Sequence, residues 1–293
     1  MPDLPIEDVL PELKAALREG PEAVLQAPTG AGKTTRVPLA LLGEDWLGDE
    51  KIIMLEPRRL AARSAARFMA KQLGEEAGQT VGHRVRMDTQ VSDQTRIEVV
   101  TEGVLTRMLQ DDPALDGVGA VLFDEFHERN LQADLGLALA LQAREVFRPE
   151  LRVLVMSATL DTGPIAELLE APLIESEGRS YPVDVHYRDR PVKDRIEPAV
   201  ASKVQEVLDE TDGDVLVFLP GAGEIRRTES RLEDSVPDDV DLYPLFGNLP
   251  PEKQDKAIEP SPDGRRKVVI ATDIAETSLT IEGIRVVVDS GLR

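Results

Sequence analysis

Residues 27–34 read Ala-Pro-Thr-Gly-Ala-Gly-Lys-Thr, and this stretch decides the fold class. Its two glycines let backbone N–H groups surround an anion, and the lysine that follows can reach the outer phosphates of a triphosphate. The apolar residues before the stretch predict a strand, and residues 33–42 predict a helix whose N-terminus points at the anion. A glycine-rich turn that merely caps a helix is the alternative, because Ala27 stands where the strict pattern has glycine.

This loop supplies the candidate phosphate ligands of the chain. Lys33 is expected to contact the β- and γ-phosphates, and the Thr34 hydroxyl is expected to hold Mg²⁺. The full set of nucleotide-binding candidates in the loop is Thr29, Gly30, Ala31, Gly32, Lys33, Thr34 and Thr35.

A second informative stretch is the acidic run Asp124-Glu125-Phe126-His127, which follows the apolar residues 120–123. The pattern places two carboxylates at the carboxyl end of a strand. Asp124 would then hold the metal through a water, and Glu125, a further candidate metal ligand, would polarise the attacking water. A solvated acidic turn is the alternative when the run is seen alone. Together with the glycine-rich loop, however, it indicates a nucleoside triphosphatase.

Composition limits the class of protein further. A chain of 293 residues can hold two domains, and it contains no cysteine and hence no disulfide or thiolate metal site. Its formal net charge of −21 argues mildly against a nucleic-acid binder, although arginines cluster at residues 58, 59, 63 and 67. No apolar stretch is long enough to span a membrane, and the N-terminus lacks a signal-peptide pattern. A cytoplasmic location without membrane association is therefore expected.

Strand-like and helical patterns alternate along the chain, which predicts an α/β fold of parallel sheets flanked by helices. In the first half, strands are predicted at 23–27, 51–55, 96–100, 119–123 and 151–156, with helices at 33–42, 58–73, 102–110 and 131–144. Residues 178–182 read as a hinge, so domains are predicted over 1–178 and 182–293. In the second half, strands are predicted at 183–187, 214–219, 240–243, 267–271 and 285–289, with helices at 195–209, 223–233 and 251–258.

Several motifs in this order resemble the motor core of superfamily 2 helicases, in particular the DEAH-box group. They are residues 57–62, 101–103, 124–129, 157–159, 217–221 and 271–281. Phe126, where most of the group has alanine, and the stretches 266–270 and 288–291 are similar to the bacterial HrpB-type members. The resemblance implies two RecA-like domains, with ATP and Mg²⁺ as ligands and single-stranded RNA, or alternatively DNA, as the partner.

The resemblance also implies roles for residues around the nucleotide. Ser157 and Thr159 would couple the nucleotide site to strand movement, and His127 would bridge that site to the second domain. Glu282 is a further nucleotide-site candidate from the second half. Phe68 stands where members of the family often have an arginine that stacks on adenine, and it would stack there instead, although a core position on helix 58–73 explains it equally well.

Nucleic-acid contacts in such enzymes go mostly to the sugar-phosphate backbone. The residues that the resemblance assigns to them are Arg58, Arg59, Arg86 in a turn between strands, Thr101, Gly247, Asn248, Thr272 and Asp273. A solvated helix start is the alternative for Arg58 and Arg59. However, cations oppose the dipole at a helix N-terminus, and a bound anion would explain their place there.

One departure from the family pattern lies at the end of the sequence. The final motif Gln-x-x-Gly-Arg-x-Gly-Arg, whose arginines reach the γ-phosphate, is absent. We therefore expect a fragment of a longer helicase with a truncated second domain and slow turnover, since such an arginine is worth about 10³–10⁵ in rate. A nucleotide-switched binding module with little hydrolysis is the second hypothesis. A small-molecule kinase is the third, and the motifs in the second half argue against it.

Overall fold

The computed structural model describes residues 4–159, 162–178, 182–188, 191–262, 264–276 and 281–292. It divides into two compact units, Met1–Tyr181 and Pro182–Arg293. Within the described ranges, no helix is both long and apolar enough to cross a membrane.

The first unit is built on a sheet of eight strands. The strands are β1 Glu22–Gln26, β2 Lys51–Leu55, β3 Val81–Val85, β4 Asp88–Gln90, β5 Ile97–Val100, β6 Val118–Phe123, β7 Arg152–Ser157 and β8 Leu173–Glu175. The helices are α1 Leu10–Glu19, α2 Lys33–Leu41, α3 Arg59–Gln72, α4 Glu102–Asp111, α5 Leu131–Val146 and α6 Gly163–Leu169. The order in the sheet is β4-β3-β5-β2-β6-β7-β1-β8, and among the strands of the described residues only the β3–β4 pair is antiparallel.

Both faces of this sheet are covered by helices, as the alternation along β2 shows. Ile52 and Met54 belong to one hydrophobic cluster with residues of α1, α2 and α3. Ile53 and Leu55 belong to another cluster with residues of α4, α5 and α6. Strands buried on both faces read as continuous apolar runs, which is why these strands stand out in the sequence. The predicted α/β class with parallel sheets and flanking helices is confirmed.

The second unit repeats the same principle on a smaller scale. Its strands are β9 Asp214–Phe218, β10 Val240–Leu245, β11 Arg266–Ala271 and β12 Ile284–Asp289, and its helices are α7 Glu197–Glu210, α8 Ala222–Leu232 and α9 Pro251–Ile258. They form a parallel sheet in the order β10-β11-β9-β12. Val204 of α7 and Ile225 of α8 pack with strand residues in its core.

The prediction of a strand at 183–187 is wrong, because residues 182–188 have no regular secondary structure. Val183, Val185 and Tyr187 alternate with polar residues as strand residues do, yet all three side chains are exposed. Burial against a partner, which sequence alternation alone does not provide, is what makes such a pattern a strand. The sequence patterns also missed five elements: α1, β3, β4, α6 and β8.

Candidate active site

The glycine-rich loop lies between β1 and α2 and turns at two glycines with positive φ, 78° at Gly30 and 98° at Gly32. These values belong to the left-handed region that glycine adopts without strain. A Cβ at Gly32 would also lie only 2.8 Å from Leu4 Cδ1. The N-terminal segment fixes the loop further, since the Ile6 N–H donates to the Ala31 carbonyl at 3.2 Å.

Lys33, the first residue of α2, is buried and points towards the acidic loop after β6. Its Nζ lies 2.7 Å from Glu125 Oε1, and both side chains are almost fully shielded from solvent. The two loops meet because β1 and β6 both flank β7 in a parallel arrangement, which puts their carboxyl ends at one edge of the sheet. The ion pair satisfies two buried charges that would each be costly alone.

Asp124, directly after β6, is buried beside this pair. Burial raises the pKa of its carboxyl to about 6, and the Glu125 carboxylate adds to the rise, while Lys33 and hydrogen bonds from Thr34 and the Glu125 N–H act in the opposite direction. The Glu125 N–H donates to Oδ1 at 2.9 Å. The other oxygen, Oδ2, makes no hydrogen bond with any described residue.

An unsatisfied buried carboxylate oxygen next to a hydroxyl suits Mg²⁺, which is bound through few protein oxygens and keeps several waters. Thr34 and Asp124 therefore fit the metal. Within the described ranges, no group of three or more acidic or histidine side chains forms a complete protein cage. A site that shares its metal with phosphate oxygens and water does not need one.

The acidic loop is held in an unusual backbone conformation. Glu125 has φ 50° and ψ 34°, and Arg129 has φ 43°. Left-handed backbone costs about 1–2 kcal/mol at a residue with a Cβ, so surrounding contacts must hold the loop. One such contact is the Phe126 ring, which is buried against Phe123 with the ring planes nearly perpendicular and the centroids 6.2 Å apart.

His127 links this loop to the segment after β7. Its Nε2 lies 3.3 Å from Glu125 Oε2, and its Nδ1 accepts a hydrogen bond from the Ala158 N–H at 3.3 Å. Ser157 is buried, and its Oγ accepts from the Thr159 N–H at 3.3 Å, while the Thr159 side chain is exposed. The direct contact is thus made by the main chain of Ala158. The sequence prediction was based on the hydroxyls of Ser157 and Thr159, and it missed this contact because a backbone N–H has no signature in the sequence.

Two further nucleotide candidates lie on exposed surfaces. Phe68 of α3 is 48% exposed, so it does not belong to the core, and the alternative explanation of this residue is wrong. An exposed aromatic ring is available for stacking. Glu282 lies in an exposed turn before β12 of the second unit.

The nucleic-acid candidates of the first unit lie at starts of helices and in a hairpin turn. Arg58 is the N-cap residue of α3, which begins at Arg59, and Thr101 is the N-cap residue of α4; neither cap makes a side-chain hydrogen bond to its helix. These helices follow the paired strands β2 and β5, so their N-termini lie at one edge of the sheet. Arg86 is exposed in the turn between β3 and β4. Helix N-termini and exposed arginines suit phosphate groups.

In the second unit, the corresponding candidates follow two paired strands. Gly247 and Asn248 come after β10, and the Gly247 carbonyl accepts from Gln254 Nε2 at 3.4 Å. Thr272 follows β11, and its Oγ1 accepts from the Ile274 N–H at the start of the short helix Asp273–Ala275. Residues 277–280 of the same motif lie outside the described residues.

Comparison with known proteins agrees with this arrangement. Residues 8–168 match the DEAD/DEAH box helicase family, and residues 199–293 match the helicase conserved C-terminal domain. The first match covers more than half of the chain. The chain belongs to the DEAD/DEAH box helicase family.

Among individual proteins, the chain is 54% identical over 290 residues to the ATP-dependent RNA helicase HrpB of Escherichia coli, covering 99% of this chain and 36% of the relative. It is 39% identical to the pre-mRNA-splicing factor ATP-dependent RNA helicase Prp22 of Schizosaccharomyces pombe, covering 98% of this chain and 25% of the relative. The chain thus spans about a third or less of the length of these relatives.

Solved structures of E. coli HrpB superpose on the chain. One, described as a DEAH/RHA helicase, matches with a TM-score of 0.90 over 98% of this chain and 37% of its own. Another, described as a DExH-box NTPase, matches with a TM-score of 0.78 over 99% of this chain and 36% of its own. Both are 54% identical to the chain. The resemblance to HrpB-type helicases is confirmed.

Proposed function

We propose that the chain is the motor core of an ATP-dependent RNA helicase, in which ATP hydrolysis drives movement along single-stranded nucleic acid. The observation that carries this proposal is the meeting of Lys33, Asp124 and Glu125 at one edge of the sheet. Family membership argues against a small-molecule kinase. RNA is favoured over DNA because two relatives are named RNA helicases.

The geometry of the two loops supports the following roles in hydrolysis. The loop N–H groups and Lys33 bind the phosphates, so the ammonium that now contacts Glu125 exchanges a carboxylate for a phosphate oxygen. Glu125 is then released to accept a proton from the attacking water, while His127 positions its other oxygen. Mg²⁺, held by Thr34 and Asp124, would neutralise charge on the phosphates. Phe68 offers a stacking surface for the base.

The proposed nucleic-acid surface of the first unit consists of the starts of α3 and α4 and the Arg86 turn. Contacts of this kind bind phosphates and read no base edges, so binding should be independent of base sequence. Binding should also weaken as salt rises, because counterions are released from the nucleic acid. A cytoplasmic location stays a prediction from the sequence.

The test is ATP binding and single-turnover hydrolysis by the 293-residue chain, with and without single-stranded RNA and with DNA of the same sequence. We expect ATP binding, slow basal hydrolysis and stimulation that is greater with RNA. Equal stimulation by DNA would contradict the RNA assignment. ATP-dependent changes in RNA affinity without stimulated hydrolysis would identify a nucleotide-switched binding module instead.

A further inference from the structure

The segment from Glu125 to Asn130 connects the candidate water-activating carboxylate to the starts of two helices. Its internal hydrogen bonds make it a compact turn, because the Glu128 N–H donates to the Glu125 carbonyl at 2.9 Å and the Arg129 N–H donates to the Phe126 carbonyl at 3.2 Å. The buried Phe126 ring anchors the turn. A displacement at Glu128 is therefore transmitted to Glu125 through one hydrogen bond.

Glu128 connects this turn to α3. Its Oε1 lies 3.5 Å from Nε of Arg58, the N-cap residue of α3, and both side chains are largely shielded from solvent. Arg58 is also one of the proposed phosphate contacts. A phosphate that binds this guanidinium therefore changes the electric field at the Glu128 carboxylate and the position of that side chain.

Asn130 connects the other end of the turn to α4. Its Nδ2 donates to Glu102 Oε1 at 2.6 Å, and its Oδ1 accepts from the Ala133 N–H at 2.8 Å, which caps α5. Glu102 is the first residue of α4, directly after Thr101. Burial raises the pKa of Glu102, the hydrogen bond from Asn130 lowers it, and the charge of Glu128 raises it. Because Glu102 interacts with both residues, the Glu128–Arg58 and Asn130–Glu102 contacts belong to one cluster.

We propose that Glu128 and Asn130 are positioning residues that couple nucleic-acid binding at the starts of α3 and α4 to the position of the Glu125 carboxylate. The inference rests on the proposed function. Because Glu125 and Arg129 have strained backbone conformations, the turn depends on its contacts and responds when they shift. Neither side chain itself touches the phosphates or the attacking water in this scheme.

Two substitutions test the coupling while they preserve the local fold. Glu128→Gln keeps the size of the side chain and removes the charge that faces Arg58. Asn130→Asp keeps the α5 cap, since aspartate caps as well as asparagine, but turns a carboxylate towards Glu102. Glu145→Gln, at an exposed position of α5, is the control for the charge that Glu128→Gln removes.

The measurement is single-turnover ATP hydrolysis without RNA and at saturating single-stranded oligouridine. At saturation, a lower RNA affinity does not affect the ratio of the two rates. Both test variants should keep basal hydrolysis within about two-fold and lose about five-fold or more of the stimulation, the range of ordinary site-to-site coupling. Glu145→Gln should match the wild type.

Full stimulation in both variants would overturn the inference and leave the proposed function intact. An equal loss of basal and stimulated hydrolysis would also overturn it, since it would show a merely structural role. Failure of the proposed function has another signature, because the wild-type chain would then fail to bind ATP or to respond to RNA before any variant is compared.

Discussion

The loop after β1 turns at two glycines with positive φ, Gly30 and Gly32, whereas the loop after β6 turns at Glu125 and Arg129 with φ of the same sign. Glycine adopts this conformation without strain, but a residue with a Cβ does so at a cost. The phosphate loop is therefore shaped mainly by its own backbone. The acidic loop is shaped by contacts from its surroundings. The two loops thus differ in what holds them, as they differ in their proposed roles: the first binds phosphate, and the second takes part in the chemical step.

The largest expected effect tests whether the acidic loop acts in the chemical step alone. Glu125→Gln keeps the shape of the side chain but removes the base, so single-turnover hydrolysis should fall by about 10²–10⁴. ATP affinity should be largely retained, because Lys33 loses only a competing carboxylate. Equilibrium binding of ATP and quenched hydrolysis of the same samples check both values.

If Glu125→Gln lost ATP binding as severely as a variant of the phosphate loop, the two loops would not have separate roles. The variant's thermal unfolding provides the control, since a loss of both activities through unfolding would appear there. A variant that is folded, binds ATP and does not hydrolyse it supports the comparison.

The next effect tests the binding element. Lys33→Ala removes one charge-assisted phosphate contact, so ATP affinity should fall by about 1.5–3 kcal/mol. It also leaves the Glu125 carboxylate buried without its cation, so the free chain should lose stability. Calorimetric titration with ATP measures the first effect, and Lys71→Ala, at an exposed position of α3, is the control.

A smaller effect concerns protonation of Asp124 in the ligand-free chain. Its folded pKa is raised to about 6 from 3.8, so between these values the folded state holds a proton that the unfolded state releases. The ionised carboxylate therefore lowers stability above pH 6, and this penalty shrinks as the pH falls below 6 and is lost only below 3.8. Asp124→Asn should be more stable than the wild type at pH 7, with a smaller difference at pH 5.

Thermal unfolding of both proteins at the two pH values, without nucleotide or metal, measures this change. A stability difference that is the same at pH 5 and pH 7 would contradict the raised pKa. The stability difference between the two proteins therefore measures how much the burial of the Asp124 carboxylate destabilises the acidic loop in the absence of ligand.

The same contrast explains what could be predicted from the sequence. The strands that were predicted correctly are apolar runs, and the phosphate loop is marked by its glycines, so both are visible in the residues themselves. The left-handed backbone at Glu125, the Ala158–His127 hydrogen bond and the exposure of Phe68 depend on tertiary contacts. The wrong strand at 183–187 has the same cause, since its alternation carried no information about a partner.

The smallest effects compare the two kinds of turn directly. Gly32→Ala places a Cβ on a left-handed backbone and 2.8 Å from Leu4, so stability should fall by about 1–3 kcal/mol. Arg129→Gly relieves a similar backbone cost but loses an exposed ion pair with Asp134 and a contact over the Phe126 ring, each worth up to about 1 kcal/mol. The net change for Arg129→Gly should therefore lie within about 1 kcal/mol of zero.

Chemical denaturation of both variants measures this difference, with Gly43→Ala as the control because a Cβ there meets no atom within 4 Å. The control should be neutral or slightly stabilising, since its backbone does not have positive φ. A loss at Arg129→Gly as large as that at Gly32→Ala would mean that the Arg129 side chain holds the turn more strongly than its exposed contacts imply. The acidic loop would then depend on the exposed Arg129 side chain rather than on the buried Phe126 ring and the helix starts around it.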